Sequence, residues 1–102
     1  MAITNASIST TVGNVFTSVG NTAITTAYLC NQTATTIVAN LYLVANAQAL
    51  LPNCQIYSNL SIAANDTYIL EWERILLNNG DMLQANASTA TGLVATVSYT
   101  GI

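Results

Sequence analysis

The sequence predicts an all-β protein, an antiparallel β-sandwich that is either jelly-roll-like or immunoglobulin-like. Large and small side chains alternate with a period close to two along most of the chain, and no window of ten residues shows helical spacing. Clusters of Asn, Gly and Ser separate these stretches at the intervals that are usual in a sandwich. At 102 residues the chain can form one such domain around one core.

The N-terminal segment, residues 1–14, is polar and shows no clear period. We interpret it either as an extended arm that becomes ordered on a neighbouring subunit or as a frayed terminus. Residues 15–102 are assigned to the single sandwich domain.

Alternating runs define most of the strands. Gly20-Asn21 predicts a two-residue hairpin between the first two strands, and 37–44 should be a central strand because both of its faces are apolar. Residues 45–53 show neither pattern clearly and are predicted to form a loop. The strands expected outside the longest hairpin are residues 15–19, 23–30, 37–44, 55–57, 59–63 and 93–99.

The strongest local signal is Asn78-Asn79-Gly80-Asp81, a turn sequence between two alternating runs. It predicts a hairpin in which Met82–Ala87 pairs back onto the preceding strand. In that strand Tyr68, Leu70 and Trp72 share a face that should be buried. The alternation then breaks at Glu73-Arg74, which predicts a β-bulge.

The composition argues against several classes of function. Charged residues are 5% of the chain, whereas a small soluble domain usually has about a quarter or more of its surface charged. With one arginine, no lysine and a net charge of −3, the chain cannot neutralise a series of phosphates, so nucleic acid is not an expected partner. The same count, and the lack of an apolar run long enough to span a bilayer, disfavours a membrane.

The few ionisable side chains are better explained by structure than by catalysis. Glu71 and Glu73 are two residues apart on a strand and neighbour Arg74, so we interpret them as an ion-pair cluster rather than the carboxylate pair of a glycosidase. Asp66 and Asp81 lie in turns, where a carboxylate usually accepts bonds from nearby backbone amides. We therefore expect a protein that is not an enzyme, with no catalytic residue, no cofactor and no metal site.

The cysteines and the N-terminus bear on the compartment. Cys30 and Cys54 are far apart and lack histidine neighbours, so they show no metal-site spacing. We expect small buried core residues, with a cross-strand disulfide as the alternative. The N-terminus has neither the basic start nor the continuous apolar stretch of a secretion signal, so the chain is expected to fold in the cytoplasm.

Five segments in order carry a resemblance to a known class of proteins. They are NTAITTAYLCN at 21–31, IYSNLS at 56–61, DTYILE at 66–71, LNNGDMLQA at 77–85 and VSYTGI at 97–102. This series resembles small structural proteins of tailed bacteriophages, particularly cyanophages that infect marine cyanobacteria. It covers the chain from Gly20 to Ile102 and departs from the pattern around 45–52, where relatives tend toward Gly- and Pro-rich turns.

The resemblance implies a β-sandwich component of the virion, made in the host cytoplasm and present in many copies. The expected role is a capsid decoration or cement protein that binds the major capsid protein and forms a homo-oligomer such as a trimer. A component of the tail, neck or fibre is the alternative within the same class.

The low charge and the small polar side chains indicate a surface that is covered by other protein. Ala, Thr, Asn and Ser together make up 49 of the 102 residues, and such side chains can be buried in an interface at low desolvation cost. A carbohydrate- or receptor-binding module of the same fold is a further alternative, and it requires an exposed aromatic cluster, with Trp72 as its centre. The candidate interface residues are Tyr28, Tyr42, Tyr57, Trp72 and Arg74.

Overall fold

Two four-stranded antiparallel sheets face each other and enclose the core. The computed structural model describes residues 2–46 and 54–102, and within residues 71–74 it describes the backbone without the side chains. The strands are β1 (Ala2–Ile8), β2 (Gly13–Thr17), β3 (Thr22–Asn31), β4 (Ile37–Val44), β5 (Gln55–Ile62), β6 (Thr67–Leu77), β7 (Met82–Ala87) and β8 (Leu93–Gly101).

The strand order identifies the sandwich as a jelly roll. Sheet 1 has the order β1-β8-β3-β6 and sheet 2 has the order β2-β7-β4-β5. Only β4 and β5 are consecutive strands that pair with each other, and every other connection between described strands crosses from one sheet to the other. This is the eight-stranded, double-sheet arrangement of a jelly roll, whereas the immunoglobulin order ABED on CFG does not occur.

The core lies between the sheets and receives side chains from all eight strands. Alternate residues point inward, which is why the period of two in the sequence translates directly into burial. The largest fully buried apolar side chains are Ile24, Leu29, Ile37, Leu41, Ile62, Leu83, Leu93 and Val97.

The N-terminal segment is part of the sandwich, so the predicted arm over residues 1–14 is wrong. Ala2–Ile8 forms β1 and pairs with β8, and Gly13 already begins β2. The inward positions of β1 are small or apolar, with Ala6 packed against the core and Ile8 only 3% exposed. The other residues of β1 are Ala, Ser, Thr and Asn, and its two isoleucines, Ile3 and Ile8, lie in opposite phases, so its period was not visible in the sequence.

Both predicted hairpins are wrong in their pairing, although the 78–81 turn forms and the chain bends at Gly20-Asn21. The 78–81 turn closes with a bond from Asp81 N to Asn78 O at 3.0 Å, but β6 belongs to sheet 1 and β7 to sheet 2. Likewise the Gly20-Asn21 turn joins β2 in sheet 2 to β3 in sheet 1. Turn chemistry reverses the chain locally, whereas the pairing partner of the second arm depends on which sheet buries its apolar face.

Several other expectations are confirmed. The strand at 37–44 is β4, which is central in sheet 2, and 93–99 lies within β8, which ties the C-terminus into sheet 1. The predicted bulge in β6 is present, because the register against β3 shifts between Glu71 and Ile75. The loop predicted over 45–53 lies outside the described residues from position 47 onward.

The bulge in β6 is continuous with a second one in β3. Thr25 is the extra residue of β3 relative to β8, and its hydroxyl donates to the Ser98 carbonyl at 3.2 Å. On the two sides of these bulges, the odd- and even-numbered residues of each strand face opposite ways. In β3, the even-numbered Ile24 is therefore buried on one side, and the odd-numbered Ala27 and Leu29 are buried on the other.

The two cysteines are half-buried, so the expectation that they are core residues is wrong. Cys30 lies on the outward side of β3 between the inward Leu29 and Asn31, and Cys54 directly precedes β5 in sheet 2. The expected buried face of β6 is correct for Leu70, which is 2% exposed, and wrong for Tyr68, which is 40% exposed near the strand end. The Trp72 side chain lies outside the described residues.

Candidate interaction surfaces

The five predicted interface residues do not form one surface. Tyr28 lies on the outward side of sheet 1 and is 39% exposed, whereas Tyr42 lies on the outward side of sheet 2 and is half-buried. Tyr57 pairs with the inward Leu41 and packs against the core. The side chains of Trp72 and Arg74 lie outside the described residues, although their backbone belongs to β6.

The outward side of sheet 1, which we call the sheet 1 outer face, is apolar and hydroxyl-rich. Registers across the four strands place its residues in three rows running from β1 through β8 and β3 to β6. The rows are Ser7–Val94–Cys30–Thr67, Asn5–Thr96–Tyr28–Ile69 and Ile3–Ser98–Thr26–Glu71. None of the eleven residues in these rows whose side chains the structure describes is acidic or basic, so this part of the face has very little charge to desolvate.

Large apolar side chains on this face are open to solvent. Ile3 is 67% exposed, Tyr28 39% and Ile69 50%, and Leu76 beyond the bulge is 62% exposed. Tyr28 and Ile69 lie directly opposite each other on adjacent strands, and neighbouring exposed apolar side chains with few charges around them are typical of a protein interface. The composition of the face therefore resembles a surface that is covered in the assembled state.

Sequence reasoning found Tyr28 on this face and missed Ile3, Ile69 and Leu76. The signal for the two β6 residues was present, because β6 has large apolar residues in both phases, Ile69 beside Leu70 and Leu76 beside Leu77. Only one phase of an edge strand can face the core, so the other must be exposed. Ile3 was missed because the segment was interpreted as an arm.

The outward side of sheet 2 is different, since it is a ladder of bonded amides. Gln55 Nε2 donates to Asn40 Oδ1 at 3.1 Å, and Asn40 Nδ2 donates to Asn86 Oδ1 at 3.1 Å. Further toward β2, Gln84 Nε2 donates to Asn14 Oδ1 at 3.2 Å. These amides satisfy one another across all four strands, so the sheet 2 outer face is polar and internally bonded.

The turn carboxylates are structural, as predicted. Asp81 Oδ1 accepts from the backbone N–H of Asn46 at 2.9 Å and its Oδ2 accepts from that of Asn78 at 2.9 Å. Asp66 Oδ1 accepts from the N–H of Thr67 at 2.8 Å. A cleft of about 220 Å³ lies beside Asp81, between the ends of β4 and β6. Asp81 is the one acidic residue among its described lining residues, and both of its oxygens already bond backbone amides.

A buried asparagine, which sequence reasoning missed, connects the two sheets at the end of the sandwich that lies away from the 78–81 turn. Asn31, 1% exposed, donates through Nδ2 to three carbonyls and accepts through Oδ1 from the N–H and hydroxyl of Thr33 at 2.9 and 2.7 Å. The three carbonyls belong to Thr35 at 2.8 Å, Ile62 at 3.1 Å and Ala63 at 3.1 Å.

Two further features were sought in the described part of the chain. Residues 2–46 and 54–102 contain no helix with the length and hydropathy needed to cross a membrane. Within the same residues, no group of three or more His, Cys, Asp and Glu side chains is arranged to hold a metal ion.

Comparisons of the chain with protein-family models, with curated proteins and with solved structures found no match. The function is therefore inferred from the surfaces described above.

Proposed function

We propose that the chain is a non-enzymatic structural protein of a virion, made in the host cytoplasm, and that it decorates the capsid as a cement protein. In this role it oligomerises and docks on the major capsid protein through the sheet 1 outer face. One observation carries the proposal: Ile3, Tyr28 and Ile69 are exposed on a face of a protein that has very few charged residues. Jelly rolls occur in viral capsid proteins, lectins and cupins, so the surface, and not the fold, supports this choice.

The physical case rests on what association would remove from water. Exposed Ile3, Tyr28 and Ile69 side chains gain free energy when another protein covers them. The neighbouring hydroxyls of Thr26, Thr96 and Ser98 can be buried against a partner more cheaply than charged groups. Because charge is scarce, docking would depend on shape and apolar contact rather than on electrostatic steering.

Copy number separates a cement protein from the other virion components. Particles of the encoding phage, purified on a density gradient, would be digested and quantified by mass spectrometry against the major capsid protein. A cement protein is expected at a copy number comparable with that of the capsid protein, whereas a tail, neck or fibre component is expected in a few copies per particle. Absence from the particle fraction would overturn the proposal.

Tyr28→Ala is expected to weaken binding to particles that lack this protein by about 5- to 150-fold, because an interface tyrosine is often worth about 1–3 kcal/mol. The matched control is Tyr42→Ala, which removes the same side chain from the opposite face. Co-sedimentation of each labelled variant with particles measures the affinity. Equal loss for both variants, or loss for Tyr42→Ala alone, would contradict docking through sheet 1.

A second candidate, a carbohydrate-binding module, is supported by the setting of Tyr42. This side chain lies in register between Gln55 and Gln84 on the sheet 2 outer face, and an aromatic ring beside amides can contact a sugar through both stacking and hydrogen bonds. The test is a glycan array probed with the wild-type chain and with Tyr42→Ala. Sugar binding lost in Tyr42→Ala and kept in Tyr28→Ala would favour this candidate over capsid docking.

A further inference from the structure

The sequence has a single Asn-Gly pair, Asn79-Gly80, and it lies in the 78–81 turn. Asparagine is a thermolabile residue, because its side-chain carbonyl carbon can be attacked by the backbone nitrogen of the following residue. Glycine makes this attack easier, since it has no Cβ beside the nitrogen and its backbone rotates freely. The other eleven asparagines of the chain precede residues that carry a side chain. Asn79 is therefore the asparagine most disposed to deamidate.

The fold uses both residues of this labile pair. Gly80 has a φ of 87°, and a Cβ at this position would collide with the Asn46 side chain. Asn79 is exposed, but its Oδ1 accepts from the backbone N–H of Gly20 at 2.8 Å. Replacing either residue would strain the turn or remove a hydrogen bond. The structure thus keeps a chemically labile pair for conformational reasons.

Three hydrogen bonds join the 78–81 turn to residues 18–20, and we call this contact the turn junction. Each of them is donated by a backbone N–H group. They are Gly80 N to Ser18 O at 2.8 Å, Ser18 N to Asp81 O at 2.9 Å and Gly20 N to Asn79 Oδ1 at 2.8 Å. The turn junction therefore holds both reacting groups, the nitrogen that would attack and the carbonyl that would be attacked.

The turn junction acts on deamidation in two opposite ways. The Gly20 N–H polarises the side-chain carbonyl of Asn79, which favours attack. The Gly80 N–H, however, points at the Ser18 carbonyl, so the electron pair left by its proton points there too and not at Asn79. The Gly80 nitrogen can attack only after it leaves Ser18 and turns, which also strains the bond that closes the turn. Restraint of the nucleophile therefore outweighs polarisation of the carbonyl.

We propose that Asn79 is a site of deamidation which the folded chain suppresses and which opening of the turn junction releases. The Gly80 nitrogen gives its proton to water and bonds to the side-chain carbonyl carbon of Asn79. The carboxamide nitrogen takes up a proton and leaves as ammonia, which completes a succinimide ring. Water then opens the ring at either carbonyl and gives aspartate or isoaspartate. Water is the one co-reactant, and nothing is oxidised or reduced.

Either product changes the turn that formed it. Both products add a carboxylate to a turn that already contains the carboxylate of Asp81. Isoaspartate also adds one carbon to the main chain between Asn78 and Gly80, which disturbs the bond that closes the turn. Refolding does not reverse the modification, so each opening of the turn junction risks permanent damage. This inference concerns the chemical lifetime of the chain and does not depend on a virion role.

The first experiment compares deamidation in the folded and the urea-denatured full chain at mildly alkaline pH. Trypsin cuts after Arg74, the single basic residue, and the 75–102 peptide carries Asn79. Electron-transfer fragmentation in the mass spectrometer locates the modified residue and separates aspartate from isoaspartate. In urea, Asn79 is expected to react faster than any other asparagine. In the folded chain its rate should be roughly 5- to 150-fold lower, the factor for an opening that breaks two ordinary hydrogen bonds.

Two outcomes of this comparison would overturn the proposal. Equal rates at Asn79 in the folded and the denatured chain would show that the fold gives no protection. Faster reaction of another asparagine in urea would show that Asn79 is not the most labile site.

Hydrogen exchange tests the cause of the protection without any substitution. The Gly80 amide exchanges when its bond to the Ser18 carbonyl opens, which is the same opening that releases the reaction. The protection of this amide, measured by NMR, should agree with the ratio of the denatured to the folded deamidation rate within about tenfold. A freely exchanging Gly80 amide together with slow deamidation at Asn79 would contradict the role of the turn junction.

Ser18→Ala loosens the turn junction, because the buried Ser18 hydroxyl donates to the Gly20 carbonyl at 2.7 Å. It is expected to raise the rate at Asn79 in the folded chain several-fold. The matched control is Thr33→Ala, which removes a hydroxyl that donates to Asn31 Oδ1 at the other end of the sandwich. It is expected to leave the rate unchanged.

Circular dichroism establishes that both variants are folded under the conditions of the measurement. An equal rise in Ser18→Ala and Thr33→Ala would overturn the proposal, since general destabilisation and not the turn junction would then control the reaction. If Ser18→Ala does not fold, the hydrogen-exchange comparison on the wild-type chain decides the same point.

Discussion

Replacing Asn31 with alanine is expected to destabilise the protein by about 3 kcal/mol, because it leaves three carbonyls without their donor, one in a buried bond and two in partly buried bonds. The Asn31 side chain is 1% exposed and links the turn after β3 to the end of β5, across the two sheets. Its carboxamide donates both to the Thr35 carbonyl in that turn and to the Ile62 carbonyl at the end of β5. In a domain of this size the loss corresponds to a fall in Tm of roughly 15 °C.

Urea unfolding followed by circular dichroism measures this effect as a change in midpoint at constant slope. The control is Asn5→Ala, which removes an exposed asparagine from β1 and should change stability by less than about 0.5 kcal/mol. Equal midpoints for the two variants would show that the Asn31 bonds do not hold the two sheets together.

Asn31→Asp keeps the shape and removes the donor, which makes the same site pH-dependent. Burial and the three facing carbonyls would raise the pKa of an aspartate here in the folded state above its unfolded value of about 4. The protonated acid can still donate one bond, so the variant should be closest to wild type below pH ~4. Its stability relative to wild type should fall as pH rises toward the folded pKa. A difference that does not vary with pH would contradict this account of the site.

Gly92→Ala is the second substitution with a large expected cost, about 3 kcal/mol or more. Gly92 has a φ of 101°, a conformation that L residues rarely adopt, and an added Cβ would collide with the Thr33 side chain. Its carbonyl also accepts from the Gln32 N–H at 2.8 Å, so it cannot shift without loosening the turn that Asn31 organises. Backbone strain and overpacking therefore add at one position.

Two other glycines separate these contributions. Gly20 has a φ of 72° but open space around its Cβ position, so Gly20→Ala should cost only the backbone term, about 1–2 kcal/mol. Gly101 has neither the unusual φ nor a close neighbour, so Gly101→Ala should be close to neutral. Thermal unfolding of the three variants should rank them in that order. A Gly92→Ala variant no worse than Gly20→Ala would contradict the collision with Thr33.

The sequence predicted the strands better than their partners. Alternation located β4, β8 and the bulge in β6, because burial on one face imposes a period of two wherever residues differ in hydropathy. It did not reveal β1, whose inward residues are mostly small. It also could not show that β6 and β7 belong to different sheets, since a turn at 78–81 fits both a hairpin and a crossing between sheets.

The candidate interface residues were chosen from the sequence by residue type, whereas the structure shows which side of each sheet the described ones lie on. Choosing tyrosines placed Tyr28 on the outward side of sheet 1, but Tyr57 on the inward side of sheet 2. Whether an aromatic residue is exposed depends on the strand phase after each bulge. The exposed Ile69 and Leu76 were predictable only once β6 was known to be an edge strand.

The proposed covering of sheet 1 can be measured through Cys30, a half-buried thiol on that outer face. Cys54 precedes β5 in the other sheet and serves as the internal reference. Thiol labelling followed by peptide mass spectrometry would compare the purified chain with chain bound to particles. We predict that binding slows the labelling of Cys30 at least several-fold more than that of Cys54. Equal labelling of Cys30 in the free and the particle-bound chain would contradict docking through the sheet 1 outer face.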